Sequence, residues 1–223
     1  AFDPPGPTFR NEMYLEYKAN RDATSEDIKR AVPYIKRLLE GFNIPVIAID
    51  GYEADDVIGT LALQATAAKQ AVVISTGDKD IAQLVNEHIT LINTMNNSAM
   101  DRAGVIDKFG IPPELIIDYL ALLGDKSDNI PGVPGVGEKT ALGLLQGIGS
   151  LDDIYANLDD VAGLDHRGQR LQRQREFVEN TVPLVGGGIV ALRAVAAQEL
   201  LHLLRRRLRG GHKAGRKDGG DDQ

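Results

Sequence analysis

Two short aliphatic runs constrain the fold more than any other feature of this chain. IPVIAID, residues 44–50, and AVVIST, residues 71–76, are near-continuously apolar. Their length suits strands, and their lack of alternation suits strands buried on both faces. A third run, ITLINT, lies near 89–94. Between the first two stands YEADDVIGTLALQATAAK, which turns helical directly after residue 50. Apolar strands alternating with helices predict an α/β fold built on a parallel sheet. The opening AFD, followed by PPGP, reads as the tail of a further strand.

Around this centre the texture changes twice. Residues 8–40 are charged and interruptedly helical, with Ser25 as a helix start and Gly41 as a stop. From Pro112 onward the pattern is all-helical: PPELIIDYLALLGD, a Gly-rich turn, EKTALGLLQ and SLDDIYANL. The sequence therefore predicts a boundary near residue 110. It predicts a core over 1–110, a helical module over 111–185 and an atypical, disordered tail over 186–223.

Composition narrows the chemistry. With 43% hydrophobic residues in 223, the chain can bury a real core. It contains no Cys, which removes disulfides, thiolate nucleophiles and Cys-ligated zinc. No apolar run approaches the roughly 20 residues of a membrane span, and no signal-peptide pattern opens the chain. A net charge of −7 argues against a nucleic-acid partner only if the acids are spread over the surface.

They are not spread. Glu53, Asp55 and Asp56 follow the first apolar run, Asp78 and Asp80 follow the second, and Asp125 and Asp128 follow a helix ending near Leu123. Asp3 ends the opening stub. In open parallel sheets the crevice beyond the carboxyl ends of the strands is where ligands bind. Eight carboxylates aimed at one crevice cannot all ionise without cations. With oxygen ligands and four scattered histidines, the ions implied are two Mg²⁺ or Mn²⁺, the pair that clamps attacking and leaving oxygens in a phosphodiester displacement. Each acidic pair taken alone reads equally as a helix cap or a solvated loop.

The stretch GDKSDNIPGVPGVGEKT, 124–140, resembles a phosphate loop only superficially, because Glu138 separates Gly137 from Lys139 and the segment follows a helix. A tight glycine turn between two helices instead offers backbone N–H groups and a helix N-terminus to a phosphate, or is a plain helical hairpin. Near the start, Arg10, Lys18 and Arg21 interleave with Tyr14 and Tyr17, a pattern suited to a nucleic-acid strand or to an ordinary solvated helix face.

Together the motifs FD, TFR, EYKANR, YEADDVIGTLA, ISTGDKDIAQLV, LINTM and GDKSDNIPGVPGVGEKTA resemble the 5′ nuclease family, in the form of the 5′→3′ exonuclease domain of bacterial DNA polymerase I. The resemblance runs from Ala1 to about Val185. It implies a parallel-sheet nuclease core of the PIN-like or resolvase-like kind and a C-terminal helix–three-turn–helix. It implies one metal on Asp3, Glu53, Asp55 and Asp56, and another on Asp78, Asp80, Asp125 and Asp128, some through water. Residues 8–40 would form a helical arch in which Lys18 and Arg21 act on the 5′ strand, with Arg10 and Tyr17 as further DNA contacts. Gly132, Val133, Gly135, Val136, Gly137, Lys139 and Thr140 would grip duplex DNA, usually with a bound K⁺.

The implied activity is a metal-dependent 5′→3′ exonuclease or 5′-flap endonuclease, monomeric, cytoplasmic in a bacterium, and normally fused to a polymerase domain. The alternative is a structure-specific DNA-binding fragment without catalysis. The family's first strand and helix, with another metal-site aspartate, have no counterpart before Ala1, so the chain as given is expected to be catalytically crippled. The stretch after about Gly186 matches nothing expected of the family.

Overall fold

The structure, a computed structural model, describes residues 1–157. The expected tail over 186–223 therefore lies outside the described residues. Helix α1, Phe9–Met13, is short and is followed by turns; α2, Glu26–Gly41, is the longest helix described. Ser25 is its N-cap, as the sequence predicts, and the helix runs through Gly41 to a C-cap at Phe42. No residue of α2 is buried, and Ile28, Tyr34 and Leu38 stand exposed along it.

The run 44–50 departs from expectation. It is irregular rather than a strand, and its entry is exposed. Pro45 removes one backbone donor. The Phe2 N–H donates to the Ile47 carbonyl at 2.8 Å, the Ile44 N–H reaches back to the Leu39 carbonyl at 2.8 Å, and the segment joins no strand ladder among the described residues. Ile49 nonetheless packs with fully buried Val57.

Helix α3, Ala54–Ala67, begins at the acidic cluster, with Glu53 as its N-cap. Strand β1, Val72–Ser75, pairs in parallel with β2, Ile89–Asn93, in the register Ile74 opposite Leu91. Strand β1 is less buried than its sequence suggests: Ile74 faces the core, while Val73 is 65% exposed. A third strand, β3 (Ser98–Met100), returns antiparallel along β2 through a turn in which Asn97 adopts a left-handed conformation. The sheet is thus mixed, in the order β1-β2-β3.

Between β1 and β2, Asp80–Leu84 forms a 3₁₀ turn whose Ile81, Ala82 and Leu84 are buried. Helix α4, Arg102–Phe109, is capped by the Asp101 carboxylate and ends at left-handed Gly110. Helix α5, Ile116–Leu123, leads into a two-residue hairpin, β4 (Gly124–Asp125) against β5 (Ile130–Pro131). The glycines that matter sterically are here. A Cβ on Gly132 would overlap the Leu123 carbonyl, and one on Gly124 would overlap the Ile130 carbonyl and the Gly132 amide. Helices α6, Glu138–Gly147, and α7, Leu151–Ala156, follow. One apolar cluster runs from Ile74 and Ile89 through Val105, Ile111 and Ile116 to Leu145 and Ile154, across residue 110. Among the described residues no helix is long and apolar enough to cross a membrane.

Candidate active site

The hairpin loop, the N-terminus of α3 and the turn after β1 all open onto one cleft of about 280 Å³. All eight carboxylates named from the sequence line it: Asp3, Glu53, Asp55, Asp56, Asp78, Asp80, Asp125 and Asp128. Four cations line it with them: Arg10, Lys18, Arg21 and Lys79. Among the described residues no three acidic or histidine side chains converge on one point.

Four of the acids are matched by those cations. Arg10 clasps Asp56 through two hydrogen bonds of 2.9 and 2.8 Å, and Asp56 also accepts the Glu53 N–H at 2.8 Å, closing the capping box of α3. Lys18 bonds Glu53 at 2.8 Å, Arg21 pairs with Asp128, and Lys79 lies 3.1 Å from Asp125. Burial would push the Asp125 carboxyl up, but hydrogen bonds from the Ser127 hydroxyl and amide and from Lys79 outweigh it and hold the pKa below the ordinary range.

The other four have no such partner. Asp3 accepts the first α3 amide, Ala54 N–H, at 2.7 Å, where the helix dipole favours an anion. Asp78 accepts the Asp80 N–H at 3.0 Å. Burial, then Asp78 and Asp3, push Asp55 up to about 6. Burial and Asp78 push Asp80 up to about 7, although Lys79 opposes them. One oxygen of Asp80, Oδ1, is buried without a hydrogen-bond partner. A buried carboxylate oxygen left in that state costs roughly 1–3 kcal/mol or more, so it marks a place where a cation is wanted.

The structure gives several of the named residues surroundings that the sequence did not suggest. Arg10 is 6% exposed and its guanidinium is taken by Asp56, the two charges being buried together. The same clasp ties Asp56, fully buried, to the start of α3. Tyr17 is 4% exposed: its ring packs in the core, out of reach of a base. Its hydroxyl bridges Asp128 at 3.0 Å and Glu53 at 3.2 Å. Burial and the Glu53 charge both raise its pKa, keeping the phenol protonated as a donor.

In the Gly-rich turn, Val133 and Val136 are core residues, and their N–H groups donate to the carbonyls of Leu122 and Val133. The Thr140 N–H is likewise taken by the Gly137 carbonyl. Gly135, Gly137 and Lys139 lie on the surface, with Gly135 left-handed and Gly137 in open space. Sequence reasoning missed Lys79, although a lysine set between Asp78 and Asp80 was a visible signal. It also missed Asn20 and Asn129, whose side-chain amides donate to the Lys126 and Glu16 carbonyls at 2.8 Å.

Comparison with known proteins bears on this cleft. The family described as 5′-3′ exonuclease, N-terminal resolvase-like domain matches residues 1–110, and that described as 5′-3′ exonuclease, C-terminal SAM fold matches 111–185. The chain is 58% identical over 170 residues to DNA polymerase I of Pseudomonas aeruginosa, covering 76% of this chain and 19% of that protein. It is 49% identical over 160 residues to the 5′-3′ exonuclease of Buchnera aphidicola, covering 72% of this chain and 53% of that one. The chain thus spans only part of the relatives it matches.

Among solved structures, the phage T5 protein co-crystallised with metal ions superposes with a TM-score of 0.78 at 24% identity, over 93% of this chain and 83% of that one. The T5 flap endonuclease complex with DNA and metal ions gives 0.76 at 24% identity, over 93% and 81%. At that identity the likeness is one of fold.

Proposed function

The chain belongs to the 5′-3′ exonuclease family, and on that premise we propose that its cleft is the centre of a divalent-metal-dependent 5′ nuclease acting on DNA ends or 5′ flaps in replication and repair. The observation that carries the reading is the gathering of eight carboxylates, from segments far apart in sequence, into one cleft where Asp80 keeps a buried, unpartnered oxygen.

The donor set fits hard cations: it is all oxygen, with no Cys in the chain. Asp3, Asp55, Asp78 and Asp80, free of cationic partners, would hold them first, with Glu53, Asp125 and Asp128 joining. Mg²⁺ or Mn²⁺ is the assignment for the cleft, with K⁺ at the turn 132–137. Bound there, two such ions supply Lewis-acid stabilisation of the attacking and leaving oxygens of phosphodiester hydrolysis.

The chain's own groups do the rest. Lys18 and Arg21, whose side chains are 26% and 51% exposed, are positioned to exchange their carboxylates for phosphate oxygens of an entering 5′ strand. Tyr17 donates to Glu53 and Asp128 and so fixes one carboxylate from each side of the cleft. The surface of the turn before α6, with Gly135, Gly137, Lys139 and the Thr140 hydroxyl, is the phosphate grip for duplex DNA. In this reading residues 1–110 are the nuclease core, 8–40 the arch and 111–185 the duplex grip, in a monomer of the bacterial cytoplasm. The relatives named above are bacterial, and two carry the words exonuclease or polymerase.

A binding-only role draws on one observation, that no three of these acids converge on a point among the described residues. A single assay separates the two. Mg²⁺-dependent cleavage of a 5′-flap duplex by the chain extended ahead of Ala1 with the first strand and helix of a related nuclease, lost in Asp78→Asn while flap binding stays within several-fold, is the expected result. Binding without cleavage by that extended chain, across Mg²⁺ and Mn²⁺, overturns the nuclease reading.

A further inference from the structure

We propose that Asn129 is a positioning residue whose side-chain amide sets the turn carrying Lys18, and thereby the placement of the Lys18 ammonium in the cleft. The part concerning catalysis rests on the nuclease reading above; the structural part does not.

Lys18 has φ +56, a left-handed conformation that a residue with a Cβ rarely takes. Something must hold it there, and the bonds around it show what does. The Lys18 N–H donates to the Asp128 carbonyl at 2.9 Å. Two residues upstream, the Glu16 carbonyl accepts the Ala19 N–H at 3.1 Å, closing the turn over Lys18. The same carbonyl accepts the Asn129 side-chain amide at 2.8 Å. Asn129 is itself left-handed, φ +59, the conformation that Asn tolerates best after glycine.

The contact is two-sided. The loop offers three successive carbonyls, Lys126, Ser127 and Asp128. They receive the Asn20 amide at 2.8 Å, the Arg21 Nε at 3.1 Å and the Lys18 N–H. Asn129 returns a donor in the opposite direction, and so ties the upstream end of the turn as its neighbours tie the downstream end. Between those ties the Lys18 side chain reaches Glu53 at 2.8 Å and lies 3.9 Å from Asp128. The amide touches no acid of the cleft, so its effect on chemistry runs through Lys18.

Asn129→Gly isolates the amide, because glycine accepts φ +59 without strain. Two measurements test the proposal, hydrogen exchange on the 223-residue chain and cleavage on that chain extended ahead of Ala1 with the first strand and helix of a related nuclease. In the first, amide hydrogen exchange of residues 17–21 accelerates about ten-fold in the variant, while α3 and α6 exchange as in wild type. In the second, the single-turnover flap cleavage rate falls about 10- to 100-fold, while affinity for the flap in EDTA falls no further than it does in Lys18→Ala. In a Lys18→Ala background the same substitution then produces no further loss, because the two residues act as one unit.

Unchanged exchange at 17–21 overturns the proposal. So does uniform acceleration reaching α3 and α6, which marks general destabilisation, or an equal loss of rate with and without Lys18. Absence of cleavage by the extended wild-type chain refutes the nuclease reading instead, and the exchange comparison still decides whether Asn129 holds the turn.

Discussion

Replacing Arg10 by methionine is expected to destabilise the fold by about 3–5 kcal/mol, the range for removing one partner of a buried ion pair. The figure follows from burial on both sides. Asp56 is fully buried and Arg10 6% exposed, so the lost guanidinium leaves a carboxylate with no access to water. Asp56 keeps one compensating bond, from the Glu53 N–H at 2.8 Å, too little to stabilise a full charge. For a chain of this size about 2–4 °C accompanies each kcal/mol, so the melting temperature should drop by roughly 6–20 °C. The double variant Arg10→Met with Asp56→Leu separates charge from packing. It removes the stranded carboxylate, since apolar replacement of a whole buried pair is often near neutral. It still loses the α3 capping bond, worth about 1 kcal/mol. Thermal and urea melts, read with the m-value, are the assay. A single variant within about 1 kcal/mol of wild type, or a double variant no better than the single, would refute the account of Arg10 as the partner of a buried charge.

Three further outcomes are expected. Asp80 and Asp55 hold protons in the folded chain, at pKa values of about 7 and about 6 against 3.8, that the unfolded chain has already released. In EDTA, stability should therefore fall as pH rises from about 4 to 7, and Asp80→Asn should flatten that slope; a slope of opposite sign, or one unaltered by the substitution, contradicts the assignment. Divalent binding needs those carboxylates ionised, so the stabilisation given by Mg²⁺ should grow over the same pH window in a calorimetric titration. Gly132→Ala should destabilise severely, since its Cβ overlaps the Leu123 carbonyl, whereas Gly137→Ala should melt as wild type does, its Cβ meeting open space; equal melting of the two variants would show the hairpin to be loosely packed.

The sequence made the cleft more legible than the sheet around it. Acids placed after apolar runs are a local pattern, and all eight meet in space. The irregular course of 44–50 was not legible, because apolarity announces burial but not pairing, and Pro45 removes a donor from a segment that bonds Phe2 without joining a ladder. Strand β3 escaped notice because three residues, two of them exposed, carry no hydrophobic signal. The burial of Arg10 and of Tyr17 escaped the sequence for one reason. A basic or aromatic residue in a charged segment reads as surface, and only tertiary structure shows that Asp56 draws one inward and the core the other. Val133 and Val136 show the reverse: the glycines beside them suggested exposed backbone, while the two valines anchor the turn in the core.

The clasp between residues 16–21 and the loop 126–129 also has a meaning in time. Its partners lie 106 to 113 positions apart along the chain. At a synthesis rate of about 5–20 residues per second, roughly 5–20 s pass between the appearance of Lys18 and that of Asn129. Until then the left-handed turn lacks its holders, Arg21 lacks Asp128, and Lys79 lacks Asp125. A nascent chain stopped near residue 110 would carry six of the acids, Asp78 and Asp80 among them, yet no seat for Lys18. The cleft is therefore completed only once the hairpin loop has been made and closes.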